Sequence, residues 1–399
     1  MADDVAGFAI WKLAYDELGA PLQDGESDLL AELPARPISD LFIVSHGWNN
    51  NEQMALDLYE QFFERVATVL GTSPQTIGVA GIVWPSMRWP DEESEQQALG
   101  GAAGLDDDLD LGDGVGATDV DDATLFDDLR GMYSEPAQIA ALDEAQQLLE
   151  QRPEDDAELQ RFQGLLAVLA AGPDAPQEND AGEAAMFDAP ARKLFDQTAD
   201  LDPGDFEGGA AGLGDFGRLW SGAKQALRLA TYWQMKKRGG VVGSKGLSSL
   251  IARLGRAAPQ LRIHLVGHSF GARLVSYAVW GLPGDVADNR KPVKSVTLLQ
   301  GAFSHFAFAP SLPHAPERSG ALTGTPERVD GPVVVTHSRR DLAVGNLYPA
   351  AAIVGRDDAA ALESLAFRWG AMGHDGAQHS GEIATDVLSP GVSYGFEAG

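Results

Sequence analysis

The 399-residue chain contains no cysteine. Disulfides, thiolate nucleophiles and cysteine-ligated metal centres are therefore excluded. Basic residues are scarce, 29 against 59 acidic ones, for a formal net charge of −30. A nucleic-acid partner would demand a basic face, so that class is excluded as well. No apolar run reaches the ~20 residues of a membrane-spanning helix, and no basic amphipathic surface suits stable membrane association. The opening residues, MADDVAGFAI, lack the basic region and apolar core of a secretory signal. The expectation is a soluble, cytoplasmic protein.

The shortage of positive charge is local. Residues 91–215 hold 33 acidic and 5 basic residues, leaving 26 and 24 elsewhere. Runs such as GLDDDLDLGDGVGATDVDD cannot bury enough apolar surface to order themselves alone. Two amphipathic helices are nevertheless predicted there, one carrying Ile139, Leu142 and Leu149, the other Leu159, Phe162, Leu166 and Leu169. The segment reads as a partly disordered, partly helical acidic insertion. It suits a lid over a substrate site or a hydrated expansion with no role of its own.

Residues 1–90 and 216–399 read as one α/β core. Strands are predicted over 7–15, 40–45, 76–84, 293–299 and 333–336, with helices over 52–70, 216–237 and 245–257. Helix 52–70 carries an apolar stripe of Leu58, Tyr59, Phe62, Phe63, Val66 and Leu70. A further strand is expected over 362–369. Such alternation predicts a mostly parallel sheet covered by helices on both faces.

The chemistry centres on LRIHLVGHSFGARLVSYAVWGL, residues 261–282. Ile263, Leu265 and Val266 suggest a buried strand, and Leu274, Val275, Ala278 and Val279 recur at helical spacing. Between them lies Gly267-His268-Ser269-Phe270-Gly271, a G-x-S-x-G sequence. Strand, sharp turn and helix are the setting in which this pattern becomes a nucleophile elbow. Ser269 is the predicted nucleophile, and Gly267 and Gly271 keep the corner slim.

A serine hydroxyl needs a base and a group to orient that base. In strand–helix sheets such groups gather beyond the carboxyl ends of the strands. Asp341, a few residues past strand 333–336, is the candidate acid. After strand 40–45 come His46, Gly47 and Trp48; the main-chain N–H groups of Trp48 and Phe270 are candidate oxyanion donors. His46 and His268 are expected to support these loops rather than react. His374 is the leading candidate base, with His379 and His305 as alternatives, or a base that these 399 residues do not contain. Trp48, Trp84, Phe270 and Phe303 hint at an apolar substrate group but suit the core at least as well. No metal site or cofactor is indicated, because histidines and carboxylates do not fall at ligand spacings.

VSHGWNN at 44–50, VWPS at 83–86 and VGHSFGAR at 266–273 resemble the bacterial serine-hydrolase branch of the α/β-hydrolases known as the domain-of-unknown-function 900 family. The resemblance spans the core and not the acidic segment. It implies an α/β-hydrolase fold, with Ser269 as nucleophile, Asp341 as acid, and Trp48 and Phe270 as oxyanion donors. It also implies cleavage of a small-molecule carboxylic ester through an acyl-enzyme. Two other readings compete with it: a non-catalytic binding or scaffold protein on the same fold, and a lipid-acting hydrolase with the insertion as lid.

Overall fold

The computed structural model describes residues 3–5, 7–48, 50–70, 75–86, 122–171, 189–199, 215–287, 291–338 and 370–380. Among the described residues, seven strands form one sheet: β1 (Asp3–Val5), β2 (Phe8–Ala14), β3 (Asp40–Ser45), β4 (Ile77–Val83), β5 (Arg262–His268), β6 (Val293–Leu299) and β7 (Val333–Thr336). Their order is β1-β2-β4-β3-β5-β6-β7. Only β1 runs antiparallel; the other six strands are parallel. This is an α/β fold, and the predicted strands of the core fall within a residue or two of their observed bounds. The expected strand over 362–369 lies outside the described residues.

Helix α1 (Gly25–Glu32) is fastened to β2, where the Tyr15 hydroxyl donates to Glu26 Oε1 at 2.6 Å and Arg253 pairs with the other oxygen. Helix α2 (Glu52–Leu70) covers one sheet face, but its buried stripe is narrower than predicted. Ala55, Tyr59 and Phe63 pack on Phe8, Ile10, Val44 and Val79, whereas Phe62 and Leu70 are 37% and 49% exposed. They flank the stripe, and the single row of contacts to a twisted sheet does not reach them.

Among the described residues, four helices lie between β4 and residue 215: α3 (Asp122–Arg130), α4 (Pro136–Gln151), α5 (Asp156–Ala170) and α6 (Ala191–Ala199). Proline opens α4, and the Asp155 carboxylate accepts the Ala157 N–H at 2.9 Å to cap α5. Both carry the predicted apolar residues inward: Leu142, Leu149, Leu159, Phe162, Leu166 and Leu169 join the same apolar cluster as Ile43 and Leu265 of the sheet. Phe162 meets Phe195 and Trp220 edge-on at 5.8 and 5.6 Å.

These helices pack on α7 (Asp215–Val241), which is buried on nearly all sides from Leu219 onward. The helix expected to end at 237 instead runs on through a widened π-helical turn, Val242–Leu247, into α8 (Ser248–Ala257). The glycine-rich stretch suggests a break. Packing of Val242 and Leu247 into the core holds the backbone helical there. Arg238 of α7 donates to the carbonyls of Pro85, at 3.3 Å, and Met132, tying the end of β4 to the turn after α3. Among the described residues, no helix is long and apolar enough to cross a membrane.

At the amino end of the sheet, Asp40 receives Arg262 Nε at 2.6 Å, the Ser39 hydroxyl at 2.6 Å and His264 Nε2 at 3.1 Å. Burial alone would raise its carboxyl, but these hydrogen bonds and the guanidinium charge bring it down to about 2. A folded value below the unfolded ~3.9 adds stability that is complete above pH 4 and fades as pH falls toward 2. Asp40→Asn should therefore lower unfolding free energy at pH 7 by about 1 kcal/mol, allowing for solvent screening. The deficit should shrink in denaturant titrations repeated toward pH 2.

Candidate active site

From β3 the chain moves to β4 on one side, then crosses back to β5 on the other. The carboxyl ends of β3 and β5 are thus the topological switch point, where an open parallel sheet leaves a crevice for ligands. Ser269 stands there, between β5 and α9 (Phe270–Trp280). Its backbone has φ +53° and ψ −118°. A non-glycine residue held in such a region costs roughly 1–3 kcal/mol and persists only where its surroundings impose it.

Those surroundings are close-packed backbone. A Cβ on Gly271 would lie 2.2 Å from the Ser45 carbonyl oxygen and 2.4 Å from that of His46. One on Gly267 would lie 2.3 Å from the Gly271 oxygen and 2.6 Å from Ala272 Cα. The Ser269 N–H donates to the Leu299 carbonyl at 2.9 Å, and its own carbonyl accepts from Ala302 at 3.1 Å and Ala272 at 3.1 Å. Ser269 is half-buried at the positive end of an 11-residue helix. Phe270 opens that helix, so its N–H has no intrahelical acceptor.

The β3 loop faces this corner. His46 is buried: its Nδ1 lies 3.0 Å from the Gly47 carbonyl, and its ring stacks on Trp84 at 5.5 Å. The Trp84 indole in turn donates to the His46 carbonyl at 3.0 Å. These contacts make His46 a brace between the β3 and β4 loops. Trp48 stacks on Phe270 at 5.9 Å, and Tyr232 of α7 closes against both rings, at 5.1 and 4.7 Å. Trp48, Phe270, Trp84 and Phe303 are all buried, so none is an open pocket wall. Among the described residues the Trp48 indole N–H is buried without an acceptor, a cost of about 1–3 kcal/mol. Sequence pattern gave no sign of Tyr232, because it belongs to a helix far away in the chain.

His374 lies on a short helix, α10 (Met372–Asp375). That helix is held on the loop beside Ser269, with Gly373 N–H on the Gly301 carbonyl at 2.8 Å and Met372 N–H on Phe303 at 2.9 Å. The Ser338 N–H, just past β7, donates to Gly373 at 2.8 Å. His374 is therefore attached to the segment whose Ala302 binds the Ser269 carbonyl. Its Nδ1 lies 2.8 Å from Asp375 Oδ1. Asp375 Oδ2 lies 3.0 Å from Nδ1 of the buried His305. His379 is exposed and lies against the Phe306 ring at 5.7 Å. His268 is half-buried at the end of β5. Asp341, the expected acid, lies outside the described residues. Asp375 was not singled out from the sequence; its adjacency to His374 in a glycine-rich turn was the available signal.

A Ser–His–Asp series crosses the sheet, with Ser295 Oγ 2.8 Å from His264 Nδ1 and His264 Nε2 3.1 Å from Asp40. It sits at the amino half of the strands, away from the crevice, and Ser295 is an ordinary ladder residue of β6. Among the described residues, no three His, Asp or Glu side chains are grouped to hold a metal ion.

Comparison with protein-family models, curated proteins and solved structures finds no match. The site must be judged on its own geometry. Gly271→Ala should lower stability by roughly 2–3 kcal/mol, because the methyl meets two fixed carbonyls rather than a flexible side chain. Chemical denaturation measures it, and an unchanged midpoint would contradict the close packing described here.

Proposed function

We propose that this chain is a serine-dependent carboxylic-ester hydrolase with an α/β-hydrolase fold. The observation that carries the reading is the positive φ of Ser269, imposed at a strand–turn–helix corner where two flanking glycines admit no Cβ. Strain of this kind, imposed by close-packed backbone at the mouth of a sheet crevice, is the setting that presents a nucleophile.

In this reading Ser269 Oγ attacks the ester carbonyl and His374 takes its proton through Nε2. Hydrogen bonding of Nδ1 to Asp375 supports that choice of nitrogen. The developing oxyanion receives the N–H groups of Trp48 and Phe270, helped by the positive end of α9. Collapse expels the alcohol with the proton from His374, and water then cleaves the acyl-enzyme by the same route reversed. The substrate is a small-molecule ester.

The test is covalent labelling by a fluorophosphonate probe, read by intact-mass spectrometry alongside turnover of p-nitrophenyl esters. Wild type should gain one adduct, and Ser269→Ala none, with turnover reduced at least ~10³-fold. Undiminished labelling of Ser269→Ala would sink the assignment.

A further inference from the structure

Asp375 holds one imidazole on each of its two oxygens: His374 Nδ1 at 2.8 Å on Oδ1 and His305 Nδ1 at 3.0 Å on Oδ2. The two histidines differ sharply in setting. The His374 side chain is 33% exposed, that of His305 only 1%. His305 is fixed through its backbone on both sides, its N–H on the Gly370 carbonyl at 3.0 Å and its carbonyl accepting from Gln378 at 2.8 Å. The Phe306 ring packs edge-on against it at 4.0 Å. Gly370 makes the contact possible, since a Cβ there would lie 2.3 Å from both Asp375 Oδ2 and His305 Cε1.

A carboxylate with a single donor can swing about its Cβ–Cγ bond and carry that donor's ring with it. A second donor, rigid and buried, removes that freedom. We propose that Asp375 is the carboxylate that orients His374, and that His305 is a positioning residue that locks Asp375 in place. The sequence Ser269–His374–Asp375–His305 then runs from the half-buried nucleophile to a buried anchor, built on the loop after β6. This rests on the reading of Ser269 as nucleophile and His374 as its base. It assigns the acid role to a residue next to the base in sequence, and gives a function to a histidine that lies too deep to touch substrate.

Four proteins beside wild type test it: His305→Leu, His305→Asn, Asp375→Ala and the His305→Leu/Asp375→Ala double variant. Each is assayed for kcat and KM on a p-nitrophenyl ester, for the rate of fluorophosphonate labelling, and for thermal unfolding. Removing the anchor in His305→Leu should lower kcat about 100-fold with KM little changed, the cost of a reacting group misplaced by about 1 Å. Asparagine can present an N–H near the position of Nδ1, so His305→Asn should recover kcat to within about fivefold of wild type. Asp375→Ala should lose roughly 10³–10⁴-fold in kcat. The double variant should be no worse than Asp375→Ala alone, because His305 acts only through Asp375. A folded His305→Leu with wild-type kcat overturns the proposal, as does equal loss in the Leu and Asn variants. If His305→Leu does not fold, the half-exposed Asp375 decides: wild-type kcat in Asp375→Ala overturns it. Absence of any labelling of wild type defeats the reading of Ser269 itself. Labelling of wild type with unaffected variants defeats only the roles given to Asp375 and His305.

Discussion

No Cβ fits between the first turn of α9 and the last residue of β3. The carbonyls of Ser45 and His46 press against Gly271, and the backbone of Gly271 and Ala272 presses against Gly267. Because neither side can give, Ser269, the middle of the three residues between the glycines, is held at positive φ. The geometry of the crevice follows from this contact. It sets the start of α9, brings Phe270 under Trp48, and aligns the β3 loop with the loop after β6. The strain at Ser269 is small beside the packing that imposes it, so it survives in the folded state.

Much of this was legible in the residues. The elbow follows from local rules: an apolar run, a glycine-framed serine and helical spacing are each visible within 22 residues. Helix α2 was read to its bounds because its spacing is regular, yet Phe62 and Leu70 were assigned to the wrong side. Periodicity tells which residues could share a face, not how wide a face the partner sheet covers. Asp375 escaped notice, and His305 was weighed only as an alternative base, for another reason. They are 70 residues apart, on segments too short and irregular to show any period, and only the hydrogen bonds of 370–378 with 301–305 bring them together.

Helix α7 illustrates the same limit from the packing side. Its sequence includes Gln225, Arg228, Thr231, Gln234, Lys236 and Arg238, and all six are buried. Helices α5, α6 and α9 pack against it, so polar side chains that would suit a solvated surface become interior. Arg238 shows how such a group is accommodated. Burial lowers its pKa while the neighbouring Tyr133 and Glu17 raise it, and the guanidinium is met by two main-chain carbonyls. With Tyr232 against Trp48 and Phe270 on the same helix, α7 is mechanically continuous between the acidic segment and the crevice.

The strand order bears on how the molecule assembles. Strand β3 is flanked by β4 and β5, and 178 residues separate Val83 from Arg262. Closing so long a connection costs a flexible chain roughly 5 kcal/mol before any pairing repays it. Helices α3 to α7 shorten the effective loop only once they have formed and packed. The β1–β4 half can therefore gather early, while the corner bearing Ser269 waits for β5 to find its slot and for the 299–302 loop to grip the serine backbone. During synthesis the strained turn is thus a late product, and the chain acquires its reactive shape only after the sheet around it is complete.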